Sequence, residues 1–596
     1  MVTSDPFACK GPAFGRPVRE RNTGDKEEGP TFTELLPRVM YRAVLLFAAL
    51  GPGIGALGQE PPWEWVRHAG GSSYDHAYGA AADTSGNYYV AGGFRSASLT
   101  FGSITVANTS TNSSDAYVVK LNGDGDALWV RTLGGVEPDE INGVATDAAG
   151  NCYACGVFDS PTLVACGTTL TNTSSDLDAF LVKYDAEGTC LWARQAGGNH
   201  MDGMSQVAAD ADGNVYVVGG YDLSPMTIGD TVLPQPYVSS RDIFLAKYTA
   251  DGTFQWARRM GGVLTDHAYH VACDTTGGVY IAGNYSGDRF FIGNDTLYNP
   301  GNPYGFDGFL AKYDADGNEL WARRIGSLDN DVVYGLSADP DGHTCVAGSF
   351  TDEELTMDTL TLQNSGTVDG FIAKFDPAGG VVWAVPVQGP DYEAVNAVVG
   401  DGHGGCLVTG VFRSAVSTIG NWELLDPDPG QYDLFVAWLD ESGSPIWRKT
   451  AHGNDHDLPF GIALSSHSGV LIAGDFLGDS LHIGPNLLTN PAPPAPDIFI
   501  ATLKDLEDIG VEDQGMDRAE LVHFPDPASD HLVIRGLGAT VQAVEILDVA
   551  ARSVPLNYER IAGGLEVDVR ALPPGVYVLH ARTTSGARTV RFSVQR

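Results

Sequence analysis

The sequence predicts an all-β chain: a seven-bladed β-propeller of four-stranded blades, closed by its N-terminal strand and followed by a small C-terminal β-sandwich. Three observations predict it. A Trp-centred motif returns seven times, at Trp65, Trp129, Trp192, Trp256, Trp321, Trp383 and Trp447, in steps of 62 to 65 residues. Two further motifs, a DTSGNYYVAGGF type and a DAYVVKLN type, keep the same phase in every copy. Gly supplies 74 of 596 residues, well above its usual share of about 7%. That suits turns and tight sheets better than helices.

The elements follow in chain order. Residues 1–39 are polar and aperiodic and read as an upstream extension, with Met40 as the natural start. Residues 40–58 read as a secretory signal peptide. Arg42 provides the basic n-region, Ala43 to Leu50 the apolar h-region, and Ala56-Leu57-Gly58 the small-residue cleavage site. Gly53, Gly55 and Gly58 match GxGxxG, but a dinucleotide site needs a helix opening directly behind that turn. Gln59-Glu60-Pro61-Pro62 cannot open one. No Cys follows the h-region, so lipoprotein attachment is not supported.

The propeller is assigned to 59–505. Its first unit reads as strands at 78–83, YYVAGGF, DAYVVKLN and LWVRTL, alternating with the period of a strand. The separators are rich in Asp, Asn and Gly, which tolerate positive φ. Repeated short sheets without helices protect their edges by radial closure. The chain enters with a lone Trp strand at 63–68, and the seventh unit ends at DIFIATLK without one. Pairing the two closes a ring; an open solenoid or a string of independent domains would gain nothing from that offset.

The pattern GGSSYDHAYGAAADTSGNYYVAGGF, with its following Phe-Gly element, resembles the SBBP-type propeller repeat of secreted bacterial proteins. The sixth and seventh copies depart from it, with Trp383-Ala-Val and with Ser465 in place of the turn Asp. The resemblance implies the fold and specifies no shared ligand or activity.

Residues 506–519 are acidic and read as a linker. Residues 520–596 break the repeat and alternate as the strands of an antiparallel sandwich, with Pro and Gly turns. Phe524-Pro525-Asp526-Pro527 and Leu572-Pro573-Pro574-Gly575-Val576-Tyr577 resemble the C-terminal sorting domain of type IX secretion substrates, with Pro525, Pro527, Gly575 and Tyr577 as its motif positions. Asp526 stands where that family usually has Asn. The resemblance implies export through type IX machinery to the cell surface or the medium.

Charge excludes several function classes. Lys and Arg number 35 against 75 Asp and Glu, a net charge of −40. Nucleic acid and anionic lipid, which need clustered cations, are poor partners. No apolar run reaches the roughly 18–20 residues that span a bilayer.

Asp75, Asp139, Asp202, Asp266, Asp331 and Asp457 each follow their Trp by a constant interval, and Asp391 nearly so. They are expected in the connections between blades. There they form either a ring of carboxylates at one channel mouth, able to bind a hard cation such as calcium, or a set of turn caps for backbone N–H groups. Seven near-equal copies favour the caps, and no cofactor is otherwise expected. DADGN at Asp210 and Asp314 lacks the closing Glu and flanking helices of an EF-hand. The His-rich runs at His267-Ala-Tyr-His270 and His452 to His456 lack metal-site spacing. Cys152 and Cys155 share one strand at an odd separation, so their thiols face opposite ways. Disulfides are permitted by export, but pairing is not legible.

No nucleophile–His–Asp signature, phosphate loop or paired-carboxylate motif stands out. The leading expectation is a non-catalytic binding scaffold for protein or glycan, carried by divergent loops between second and third strands on a rigid frame. A propeller hydrolase or lyase acting on polysaccharide is the alternative.

Overall fold

The computed structural model describes residues 61–504, apart from 111–112, 175, 238–239 and 466–468, and the strands of a C-terminal segment between 522 and 594. The extension, the signal peptide, the linker, Pro525 and Pro527 lie outside the described residues. The chain divides into two compact units, the propeller and the C-terminal segment.

Seven antiparallel blades make up the first unit. Blade 1 runs outward from its inner strand Asp75–Ala82 through Tyr88–Phe94 and Asp115–Leu121 to the outer strand Ala127–Leu133. The next five repeat this order, with inner strands beginning at Asp139, Asp202, Asp266, Asp331 and Glu393. Blade 7 takes Asp457–Ser465, Gly469–Phe476 and Asp497–Leu503 from the end of the repeat. Its outer strand is Trp63–Ala69 from the start, with Trp65 opposite Thr502 and Ala69 opposite Ile498. The ring closes as the sequence offset requires.

Hydrophobic cores lie between blades. Tyr89, Val118 and Trp129 of blade 1 pack with Ile141, Phe158 and Phe180 of blade 2. Both faces of the middle strands are covered, which is why they read as apolar on both parities. Cys152 faces the core shared with blade 1 and Cys155 the core shared with blade 3.

The repeated Trp and the basic residue two positions on clasp the following blade. Trp192 Nε1 donates to Ala250 O at 3.1 Å, and Arg194 Nε donates to Gly252 O at 2.6 Å. The same pair of bonds recurs from Trp129, Trp256 and Trp321 with their arginines. Trp447 is fully buried, yet its Nε1 has no acceptor among the described residues. Closure explains this: blade 7 draws its outer strand from the N-terminus, so the turn that would receive Trp447 does not exist.

The clasp also dictates the turn glycine. Gly252 has φ +79°, and a Cβ there would stand 2.7 Å from the Trp192 ring. Gly252→Ala therefore combines left-handed strain with a ring clash. It is expected to cost more than about 1 kcal/mol, read as a lowered melting temperature; an unchanged one would contradict the clasp.

The sequence reading missed one element. Each second-to-third connection opens with a β-hairpin, such as Ser98–Phe101 with Ile104–Ala107. In four units this hairpin pairs with the end of the preceding blade's outer strand, giving six-stranded sheets. Met226–Ile228 extends Cys190–Gly197 in this way. An outer strand would otherwise present an open edge. The hairpin tip rests on its own blade's outer strand: a Cβ at Gly229 would meet Phe254, and one at Gly484 would meet Trp63. In blade 2 the same position is a covalent link, Cys166–Cys190.

The C-terminal segment forms two four-stranded antiparallel sheets. Leu565 and Val567 from one sheet and Ile546, Leu579 and Val594 from the other share a core. Tyr577 is buried beside them and donates to Pro573 O at 2.8 Å, joining the Pro-rich turn to the strand that Gly575 begins.

Candidate functional site

The carboxylates anticipated between blades are the first residues of the inner strands, so the strands start earlier than the alternation suggested. Asp75, Asp139, Asp202, Asp266, Asp331 and Asp457 are all fully buried. Their side chains point into the blade junctions, not into the channel mouth. Asp391 is not their counterpart. It stays half-exposed near Arg413, at 3.7 Å, while Glu393 begins the strand and is fully buried. The longer side chain disguised the equivalence.

Turn capping holds at most of these positions. Asp75 accepts from Arg95 N, Ser96 N and Ser96 Oγ. Asp139 accepts from Ser160 N and Oγ, and Asp266 accepts from Gly262 N and Ser286 N. Ser327 serves Asp331, and Ser414 with Ser417 serves Glu393. Asp202 and Asp457 are the weakly capped cases: neither accepts a hydrogen bond of good geometry, and each has only one backbone N–H close by, from Gly198 and Gly453 respectively.

A second set of buried carboxylates stands at the start of the third strands, in first position at Asp115, Asp178, Asp307, Asp369, Asp433 and Asp497 and in second position at Asp242. Each acts electrostatically on the inner-strand carboxylate of the next blade, as Asp178 does on Asp202 and Asp497 on Asp75. Seven junctions thus hold seven acidic pairs. In three of them a basic side chain directly contacts the third-strand carboxylate: Arg259 on Asp242 at 2.5 Å, Arg324 on Asp307 at 2.5 Å, and His68 on Asp497 at 2.9 Å. In a fourth, Arg241 acts on Asp202 from further off. At the blade 2–3 junction, burial and then Asp178 push Asp202 up to about 8, and burial pushes Asp178 up to about 6. At the blade 6–7 junction, burial and then Asp433 push Asp457 well above the carboxylate range; burial and then Asp426 raise Asp433. The DAYVVKLN motif displayed these residues, but Asp at a strand start also reads as ordinary turn chemistry.

The opposite ends of the inner strands carry compensated acids. Asp83 pairs with Lys120 at 3.2 Å and Asp339 with Lys374 at 3.1 Å. In blade 7 both partners are replaced, by Ser465 and Thr502. The DADGN turns are capped from within: Asp210 Oδ1 accepts from Asp212 N and Asn214 N, and Asp314 Oδ1 from Asp316 N and Asn318 N. Among the described residues, no group of three His, Cys, Asp or Glu side chains stands arranged to hold a metal. His267 stacks on Tyr269, and burial with Arg241 pushes it down to about 3; His452 stacks on His482.

The lumen is built by a device that alternation conceals. Every inner strand carries a β-bulge at the same place, where the register shifts across Tyr78, Asn142, Ser205, Tyr269, Tyr334, Asn396 and Phe460. Bulges re-aim side chains, and these make a ring across the channel. Tyr78 meets Phe460 and Tyr269 meets Tyr334 edge-on or tilted. Asn142 Nδ2 donates to Met204 O and Asn396 Nδ2 to Pro459 O, each across a blade junction. From this ring a cavity of about 450 Å³ runs along the inner strands, lined by all seven blades.

Fold and tail together define a class: a seven-bladed β-propeller that carries an export address. Residues 522–595 match the family of the secretion system C-terminal sorting domain. The tail indicates export to the medium or cell surface and involvement of type IX secretion machinery. No helix among the described residues is long and apolar enough to cross a membrane.

Relatives of the repeat region are distant. The chain is similar to an uncharacterized WD repeat-containing protein L264 of Acanthamoeba polyphaga mimivirus, 20% identical over 60% of this chain and 36% of that protein. It is also similar to the regulatory protein FlaEY of Caulobacter vibrioides, 29% identical over 29% of this chain and 18% of that protein. The chain thus spans well under half the length of either. Among solved structures, Sqt1 from Chaetomium thermophilum overlaps 75% of this chain and 99% of its own, at 9% identity and a TM-score of 0.34. Overlap at that level transfers nothing to this chain.

Proposed function

We propose that this protein is an exported scaffold that binds an extracellular protein or glycan without transforming it. One observation carries the reading. The face bearing the blade-to-blade connections exposes large apolar side chains in the loops of several blades: Tyr74, Val136, Tyr304 and Leu328 are 53 to 78% exposed. Asn302 N donates to Leu328 O, joining the loops that carry Tyr304 and Leu328. Exposed apolar side chains on loops held by a rigid frame are a common form of interaction surface. Glycan-array and pull-down screening of the purified protein tests this. A ligand whose binding weakens at least tenfold in a Tyr304→Ser/Leu328→Ser variant with an unchanged melting temperature is expected. Ligands indifferent to that double change would move the site elsewhere.

The export half of the proposal has its own test. Deleting 520–596 is expected to leave a folded propeller inside the periplasm, detected by fractionation and by retained melting behaviour. Normal arrival of the truncated chain at the cell surface would show that the tail is not this protein's address.

A further inference from the structure

We propose that the central cavity is a second binding site, separate from the loop face, and that it takes an uncharged, polyhydroxylated ligand of sugar size. Its volume, about 450 Å³, falls within the range of small-molecule sites, roughly 300–1,000 Å³. The lining is chemically selective. In a chain of net charge −40, no Asp, Glu, Lys or Arg lines this cavity. His270 is the one imidazole in the lining, so an ionic ligand would meet no fixed counter-charge to offset its desolvation.

The wall does offer the two contacts that sugars use. Tyr78, Tyr269 and Phe460 present aromatic rings at the bulged end, suited to the apolar C–H face of a pyranose. Neutral hydrogen-bonding groups stand beside them. Ser205 and Gln206 line the cavity, and neither the Ser205 hydroxyl nor the Gln206 amide nitrogen bonds to another described residue. Gln206 is held in place from behind, since its Oε1 accepts from Val207 N at 2.9 Å and its side chain lies against Gly143 of the neighbouring blade. A fixed amide with an unused donor at a cavity wall is a hydrogen-bonding position. A purely apolar ligand would leave both groups unpaired, a further cost.

Titration calorimetry of the full chain with lactose, maltose and cellobiose tests the site. Galacturonate and glucosamine serve as acidic and basic counterparts. Saturable binding of at least one neutral disaccharide is expected. It should weaken at least tenfold in both Gln206→Ala and Tyr269→Ala, and be retained in Tyr269→Phe. Where Tyr269→Ala fails to fold, Ser205→Ala paired with Gln206→Ala decides instead. The Tyr304→Ser/Leu328→Ser variant should bind the disaccharide unchanged, so the lumen can stand when the loop face fails, and the reverse. Absence of saturable binding to all three disaccharides overturns the proposal. So does equal affinity for galacturonate or glucosamine, or binding indifferent to the lumen variants.

Discussion

A chain lacking residues 61–71 is expected to lose amide protection in blades 7 and 1 first, with the middle blades following. Trp63–Ala69 is the outer strand of blade 7, so its removal leaves Asp497–Leu503 as an unpaired edge, a template for aggregation. Specific anchors go with it. Trp65, 7% exposed, donates to Gly123 O of blade 1 at 2.7 Å, and truncation of a buried Trp alone costs about 3–5 kcal/mol. His68 leaves the buried Asp497, at 2.9 Å, without its partner. Adjacent blades share cores, so the loss spreads from the seam. Hydrogen exchange reads it directly, and full-length protection in blade 7 of the shortened chain would refute closure.

The propeller is expected to be most stable near pH 4–5 and to lose stability as pH rises toward 8. Burial raises Asp139 to about 7, Asp178 and Asp242 to about 6, Asp202 to about 8 and Glu393 to about 7. A carboxyl whose folded pKa exceeds its unfolded one binds its proton more tightly in the fold. Stability is therefore full below about 4 and declines until the folded value is passed, by up to about 1.4 kcal/mol per pH unit for each group. His76 adds to the trend. Burial lowers its pKa, but Asp475 at 2.5 Å, with Glu140 and Asp75, more than reverses this and raises it; that contribution is lost as pH climbs through the raised value. Asp83, Asp147 and Asp274 act oppositely. Burial raises them, but side-chain and backbone hydrogen bonds outweigh it and lower them, so their contribution is lost only as pH falls below about 4. Calorimetry at pH 5 and pH 8 should show the melting temperature falling by several degrees. Asp202→Asn should flatten the fall, since an amide can donate to Asp178. A melting temperature that rises toward pH 8 would contradict the reading. A calcium-dependent recovery at pH 8, lost in Asp457→Asn, would instead favour a cation at that junction.

The fold was legible because its strongest constraints are local and repeated. The Trp–Arg clasp needs the same residues at the same interval in nearly every blade, and the unmatched strand at 63–68 announced closure. The hairpins were harder to see, because their strands are only three or four residues long, although the Ile-Gly or Phe-Gly tip marks most copies. The bulges are invisible to alternation, because an inserted residue mimics the next position of the pattern. Glu393 escaped because its chemistry, not its spacing, is shared with the aspartates. The Cys166–Cys190 pairing depends on a hairpin tip folding back on an outer strand, a contact that no spacing reveals.

Binding without transformation is the proposed activity of this propeller. The most direct test is to incubate the purified full chain with a panel of soluble polysaccharides, measuring binding by calorimetry and chain length by size-exclusion chromatography in the same samples. Saturable binding with polymer length unchanged is the predicted result. Shortening of any polymer, abolished by substitution of one side chain, would make the protein an enzyme and contradict the account.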